Sequence, residues 1–431
     1  MRPVFDCNHS IRDGLEACPT LVNYREALGW LYGLQVHGIV LGLEKIRRLC
    51  AALGIETASS EKRRFIHVAG TNGKGSVCAL IAAVCVAAKR RTGLYTSPHL
   101  VSFRERIRLG PNQIPEEHVA EWLTKIRDLI ADWEHTPTFF EITTALALAW
   151  FQQQNADIVI LETGMGGRLD ATNVVTPAVS VLTPIGFDHM QHLGGTLAAI
   201  AGEKAGIIKR GVPVVSAPQP PEAEAVIRAA AAAAEAKLTF IRQPLAPEWP
   251  LALAGSHQRW NAALAFAALV ASGLRPDPRI VGEAFANAAW PARFQRADDR
   301  TVIDGAHNPP AAAQLASTWR EEFGDEKATL ILGILADKDA SGVIAALLPI
   351  AAHIICTPVR SPRALPPAEL AALIHAQSPA ASVSVAETLD AALSQGRAAG
   401  ARILIAGSLF LAGEALARLG LADGEHEWSA Q

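Results

Sequence analysis

The chain has 431 residues, half of them hydrophobic and 19% charged, with a formal net charge of −3. That length exceeds what one hydrophobic core supports, so two domains are expected, and the near-neutral charge argues against a nucleic-acid surface. No apolar run approaches the roughly 18 residues of a membrane span. Asp6 and Pro3 stand where an export signal needs apolar residues, and the six cysteines are scattered without a C-x-x-C, so a cytoplasmic protein with reduced thiols is expected.

Residues 1–20 carry little pattern and read as a loose arm. Apolar residues recur at helical spacing over 24–34 and 41–53, with Gly38 and Gly42 between them. Residues 64–69 then form an apolar strand that stops at Gly70-Thr71-Asn72-Gly73-Lys74-Gly75-Ser76, and a long apolar helix follows to Ala88. This is the layout of a phosphate cradle. Glycines let backbone N–H groups approach phosphate oxygens, the helix N-terminus adds unpaired donors, Lys74 adds a full charge, and Ser76 offers a hydroxyl to Mg²⁺ or phosphate. The spacing departs from the commonest phosphate-loop pattern, because Val68 stands where its first Gly would be and Gly75 separates Lys74 from Ser76.

A short strand near residues 92–96 ends in Ser97-Pro98-His99-Leu100. Arg104, Arg106 and Arg108 alternate with other residues, so a strand there places three arginines on one face, either a solvated face or one that steers a polyanion. Helices are expected over 116–133 and 139–152, strands at 158–161, 178–182 and 212–215, and helices at 196–207 and 221–236, the last nearly polyalanine. Helices over 258–271 and 279–289 lead to the break at Trp290-Pro291, and the domain boundary is expected near 291–297, giving domains of 1–292 and 297–431. Beyond it, strands at 301–304, 329–333, 353–357, 382–385 and 402–406 alternate with helices. The expected fold class is α/β: an N-terminal P-loop ATPase domain on a mostly parallel sheet, plus a smaller C-terminal doubly wound α/β domain.

Several residues have chemistry to offer. Glu162 ends a hydrophobic strand and opens Thr163-Gly164-Met165-Gly166-Gly167-Arg168-Leu169-Asp170, a position suited to the Mg²⁺ that accompanies ATP. Asp170 is either a ligand-facing carboxylate or an Asx turn. Asp188-His189 follows the next strand; no third spaced ligand accompanies it for zinc, so His189 either joins Glu162 on a cation or simply caps and packs. Lys204 in an apolar helix reads as a snorkelling side chain. Asp304 and His307 sit at a strand-to-helix turn where they can face an inter-domain cleft, and Asn308-Pro309 is a helix start.

These segments, in this order, resemble the folylpolyglutamate synthases of the Mur ligase superfamily, of the bifunctional dihydrofolate synthase type, from about Tyr24 to the C-terminus. The resemblance implies that Gly70, Thr71, Asn72, Gly73, Lys74, Gly75 and Ser76 bind ATP, with Asn261, Arg293, Asp304 and His307 also contacting the nucleotide. It implies that Ser97, Glu162 and His189 hold one or two Mg²⁺ ions, that Lys204 is carbamoylated, and that Asp170 lies near the pterin-bearing substrate. Lys74, Lys204, His189 and Glu162 are the catalytic set it implies. Dihydropteroate, reduced folates and L-glutamate would be the partners of a monomer, without nucleic acid or membrane. Two segments depart from the family pattern: residues 240–256 and the connection from Arg293 to Asp304 are short. A synthase with the folylpolyglutamate activity alone, another amide ligase of the superfamily, and a nucleotide-binding module without turnover are the alternatives.

Overall fold

The computed structural model describes residues 23–37, 42–422 and 427. The expected loose arm over residues 1–20, Gly38 and Leu41 lie outside them.

The first sheet is built from Arg64–Ala69 (β1), Thr92–Tyr95 (β2), Ile107–Leu109 (β3), Asn112–Gln113 (β4), Ile158–Glu162 (β5), Val179–Leu182 (β6), Val214–Ser216 (β7) and Leu238–Phe240 (β8). Its order is β4-β3-β2-β5-β1-β6-β7-β8, and only β3 and β4 run antiparallel to their neighbours. Strands β1 and β5 are apolar on both faces because both are covered. Phe65, Val159 and Leu161 face the helices Tyr24–Gly33, Glu44–Ala52, Glu116–Leu129 and Phe139–Gln153, whereas Ile66, Val68 and Ile160 face Lys74–Ala87, Ser256–Ala271 and Pro278–Ala286. The alternation follows from the two-residue period of a strand. The Phe139–Gln153 helix starts where a capping box permits: Thr138 and Glu141 satisfy each other's backbone donors.

The second sheet takes Gln295–Arg296 (β9), Thr301–Ile303 (β10), Ala328–Leu332 (β11), Ala351–Cys356 (β12), Val383–Val385 (β13) and Ile403–Ala406 (β14), in the order β13-β12-β11-β14-β10-β9. Only β9 is antiparallel. Its two faces carry separate cores, one around Trp319, Leu330 and Leu370, the other around Ile331, Ile355 and Leu411. The chain is thus α/β throughout, with two parallel-dominated sheets.

One expected strand is corrected. Residues 103–106 form a 3-10 turn, and the extended segment begins only at Ile107. The cause is local: Ser102 and Glu105 form a capping box that bends the chain before the arginines can alternate. Arg106 is fully buried and donates from Nε to His99 Nδ1 at 2.8 Å, while Arg104 binds Ile114 O and Glu116. With Arg106 buried, the three arginines do not form one exposed face.

Candidate active site

Strand β1 lies inside the first sheet between β5 and β6; the connection leaving β1 runs to β2 on one side and that leaving β6 runs to β7 on the other, which opens a crevice at the carboxyl ends of the strands. The Gly70–Ser76 segment occupies that crevice. Gly73 caps the Lys74–Ala87 helix with φ +86°, a left-handed conformation that favours glycine, and a Cβ there would meet Asn261 Oδ1 at 2.8 Å. Thr71 ties the segment to the end of β6: its N–H donates to Pro184 O, and its hydroxyl exchanges hydrogen bonds with Gly186. Lys74 Nζ curls back to the carbonyls of Gly70 and Thr71, each at 3.2 Å. The Ser76 hydroxyl is buried and accepts from Gln258 Nε2 at 3.4 Å, and Gln258 in turn accepts from Asn261.

Glu162 pairs with Val68 across the β1–β5 ladder, which sets it beside the start of the glycine segment. Its carboxylate accepts from Ser97 N at 3.4 Å, so the ends of β2 and β5 meet at this group. Burial pushes its pKa up to about 7, against the opposing pull of Lys74. The Thr163 and Thr183 hydroxyls, one residue beyond β5 and β6, are buried without a partner among the described residues. His189 has a left-handed backbone, and although its side chain is 42% exposed, its imidazole is pushed down to about 4 by partial desolvation and by nearby Lys338 and Lys74, which keeps it neutral and able to donate a lone pair to a metal at neutral pH.

Lys204 is buried and donates from Nζ to the same Gly70 carbonyl at 2.8 Å. Burial, with nearby Lys74, pushes its pKa down to about 7. The snorkelling reading is therefore overturned, because the head group points inward. Asp170 has no oxygen to spare: one accepts from Gly164 N and Met165 N, the other from Thr172 N and the Thr172 hydroxyl. Its Asx-type turn shapes the glycine loop, and His67 Nε2 backs Thr172 at 2.8 Å.

The second domain closes over this edge. Asn72 and Asn308 exchange amide hydrogen bonds at 3.1 Å, while Asn308 also caps the Pro309–Phe323 helix. Asp188 receives Lys338 Nζ at 2.9 Å and Asn308 Nδ2 at 3.1 Å. Burial alone would raise Asp188, but His189, Lys338 and His307 hold it well below the usual carboxylate range. His307 Nδ1 bonds its neighbour Gly305 O and leaves Nε2 facing Asp188. Asp304 is buried, accepting from Phe294 N and Ala306 N; burial raises it and Arg293 opposes. A cleft of about 730 Å³ opens beside Arg293, lined by Gly255, Ser256, Trp290 and Phe294, and the Trp290 indole also abuts Gly75.

The structure therefore gathers Gly70 to Ser76, Ser97, Glu162, Lys204 and Asn261 around one strand edge, with His189 and His307 at its inter-domain margin, whereas Asp304 is buried against Phe294 and Ala306. Sequence reasoning missed Gln258 and Lys338. Gln258 sits three residues before Asn261 on the same helix face, a signal that was available. Lys338 had none, because its partner arrives from the other domain.

The nucleotide and magnesium expectations fit these residues. At Gly70, Gly73 and Gly75 a Cβ would strike Thr183, Asn261 and Trp290, so only glycine keeps the segment in this conformation, and a carboxylate and a serine hydroxyl are oxygen donors suited to a hard cation, with a neutral imidazole as a borderline third. No group of three or more His, Cys, Asp or Glu side chains that could hold a metal ion occurs among the described residues. A cation at Glu162 would draw its remaining ligands from phosphate and water, the usual habit of Mg²⁺.

Residues 68–240 match the Mur ligase middle domain, and residues 292–409 match the Mur ligase glutamate ligase domain. The dihydrofolate synthase/folylpolyglutamate synthase of Bacillus subtilis is 35% identical over 79% of this chain and 86% of its own length. The folylpolyglutamate synthase of Lacticaseibacillus casei is 34% identical over 91% and 97%. Among solved structures, Mycobacterium tuberculosis folylpolyglutamate synthase complexed with ADP and AMPPCP superposes with a TM-score of 0.85 at 33% identity, covering 94% of this chain and 100% of that one. Escherichia coli FolC in complex with DHPP and ADP gives 0.81 at 31%, covering 93% and 98%. The chain belongs to the folylpolyglutamate synthase/dihydrofolate synthase family of the Mur ligases.

Proposed function

We propose that the protein is an ATP-dependent amide ligase that joins L-glutamate to dihydropteroate and to the γ-carboxyl of reduced folates through an acyl phosphate. The observation that carries this reading is the convergence of the Gly70–Ser76 segment, Glu162 and Ser97 at one strand edge beneath the second domain. A carboxylate resists an amine because it is anionic and its oxygen leaves poorly. Transfer of the γ-phosphoryl group to the acceptor carboxylate makes phosphate the leaving group, and the glutamate amine then attacks the acyl carbon, giving amide, ADP and phosphate. Mg²⁺ held beside Glu162, Ser97 and His189 would supply positive charge to offset the charge that develops during transfer.

The chain's own residues supply the rest. The loop amides and Lys74 hold the phosphates, while Glu162, Ser97 and His189 are the proposed metal ligands. Asn261, Arg293, Asp304 and His307 are the proposed nucleoside contacts, beside the cleft at Arg293. Asp170 acts on the pterin-bearing substrate by shaping the loop from Gly164. Lys204 carries a carbamate: its low pKa leaves a neutral amine to attack CO₂, and the product replaces a cation next to Lys74 with an anion. Residues 1–292 bind nucleotide and acceptor, residues 297–431 close over them, and the monomer suffices. No helix among the described residues is long and apolar enough to cross a membrane.

The test is ADP release with L-glutamate, comparing dihydropteroate with tetrahydrofolate. Glutamate-dependent release with both supports the bifunctional reading, release with one restricts it to a single synthase, and release with neither removes it. The relatives complexed with ADP and DHPP, or with AMPPNP and Mn ion, support the choice of ligands.

A further inference from the structure

The loop from Ser97 to Arg106 belongs to the first domain by chain order, yet its middle is buried in the second. Val101 has no exposed surface and lies in the hydrophobic cluster of Ala292, Ile303, Ile331, Leu411 and Ala412. Leu100 packs on the same cluster. Gly413, in the Leu409–Arg418 helix, approaches so closely that a Cβ there would sit 2.0 Å from the Leu100 carbonyl oxygen. Glu427 adds a further hold. Its N–H donates to Val101 O at 2.8 Å, and its carboxylate accepts from Phe103 N at 2.5 Å and Tyr24 Oη at 2.9 Å.

The middle of the loop is held as one unit. The Glu105 carboxylate accepts from the backbone amides of Leu100, Val101 and Ser102 at 2.8, 2.9 and 2.8 Å, so these residues move as one piece. At the loop's other end, Ser97 N reaches Glu162 at 3.4 Å.

We propose that this loop is a strut through which docking of the second domain fixes Ser97 and Glu162, making Val101 and Gly413 positioning residues for the metal-phosphate site although neither touches it. The inference rests on the reading of Ser97 and Glu162 as metal ligands. The physical basis is that a wedge at Gly413, or a void at Val101, shifts the Leu100–Ser102 unit, and the two intervening residues, of which His99 accepts from Arg106 Nε at 2.8 Å, carry the shift to Ser97. Displacements of that kind weaken a site without removing any of its ligands.

The test uses the full chain with Gly413→Ala and with the milder Val101→Ala. Leu393→Ala, in the same cluster but on the Leu389–Ala398 helix that packs on β11 and β12, is the control for general loosening of that core. Mn²⁺ binding in the presence of AMPPNP is followed by electron paramagnetic resonance. Hydrogen exchange at the Leu100, Val101 and Ser102 amides is followed without nucleotide. The strut predicts Mn²⁺ binding about tenfold weaker in both test variants and within about twofold of wild type in the control. It also predicts faster exchange of the three amides in the test variants alone. Wild-type Mn²⁺ affinity in folded Val101→Ala overturns the proposal, as does unchanged exchange at the three amides. Wild-type protein that binds no Mn²⁺ with AMPPNP removes the proposed function instead, and the exchange arm still decides whether the second domain holds the loop.

Discussion

At the scale of single residues, the site is controlled by burial. Glu162 is 6% exposed and its pKa is pushed up to about 7, so near neutrality it shares its time between carboxyl and carboxylate. A metal needs the carboxylate. The sign is direct: because the folded pKa lies above the unfolded value, folding favours the proton, and metal binding must displace it. Mn²⁺ affinity is therefore expected to rise from about pH 5 to about pH 7 and to level off above that. Calorimetric titration with AMPPNP measures it, and Glu162→Gln should flatten the rise to that of the nucleotide alone. His189, pushed down to about 4, is already neutral across this range and contributes no slope.

Lys204 is the mirror case. An exposed lysine near neutrality is almost wholly ammonium, whereas burial beside Lys74 brings its pKa to about 7 and frees the amine. Native mass spectrometry under non-acidic conditions should show a labile adduct of one carbon dioxide, lost on acidification and absent from Lys204→Ala. Full activity of Lys204→Ala without added short carboxylates would contradict the role.

At the scale of elements, the glycine loop after β5 depends on a carboxylate that faces inward. Asp170→Ala would leave four donors, two of them buried and two part-buried, without their acceptor. A loss of about 3 kcal/mol is expected in urea unfolding. A loss below about 1 kcal/mol would show that the loop holds its shape unaided.

The strands of both sheets were legible because parallel strands covered on two faces read as continuous apolar runs, as at residues 64–69 and 158–161. Short edge strands such as β4, β8 and β9 were not, since two or three residues carry no period. The arginines at 104–108 misled because a two-residue alternation was weighed without the Ser102-x-x-Glu105 signature, which marks a turn start. In the site, Lys74 and Glu162 were legible because each ends or follows a strand. The inward aim of Lys204 and the pairing of Lys338 with Asp188 were not. Both depend on which elements meet in space, and a single chain read in order does not record that.

At the scale of the whole molecule, the contacts of the second domain with the first among the described residues include three separated groups. Asn308 and Lys338 hold Asn72 and Asp188; Glu321 accepts from Ser256 N and the Ser256 hydroxyl; Gly413 and the cluster around Val101 grip the loop after Ser97. Closure therefore bears on the phosphate loop, the Ser256–Ala271 helix and the proposed metal ligands together. The central claim is that this edge is where a nucleoside triphosphate gives up its terminal phosphoryl group. The most direct measurement is a crystal structure with AMPPNP and Mn²⁺. The triphosphate is expected along Gly70 to Ser76, with the metal beside Glu162 and Ser97. A triphosphate bound elsewhere, or a metal remote from Glu162, would contradict the account.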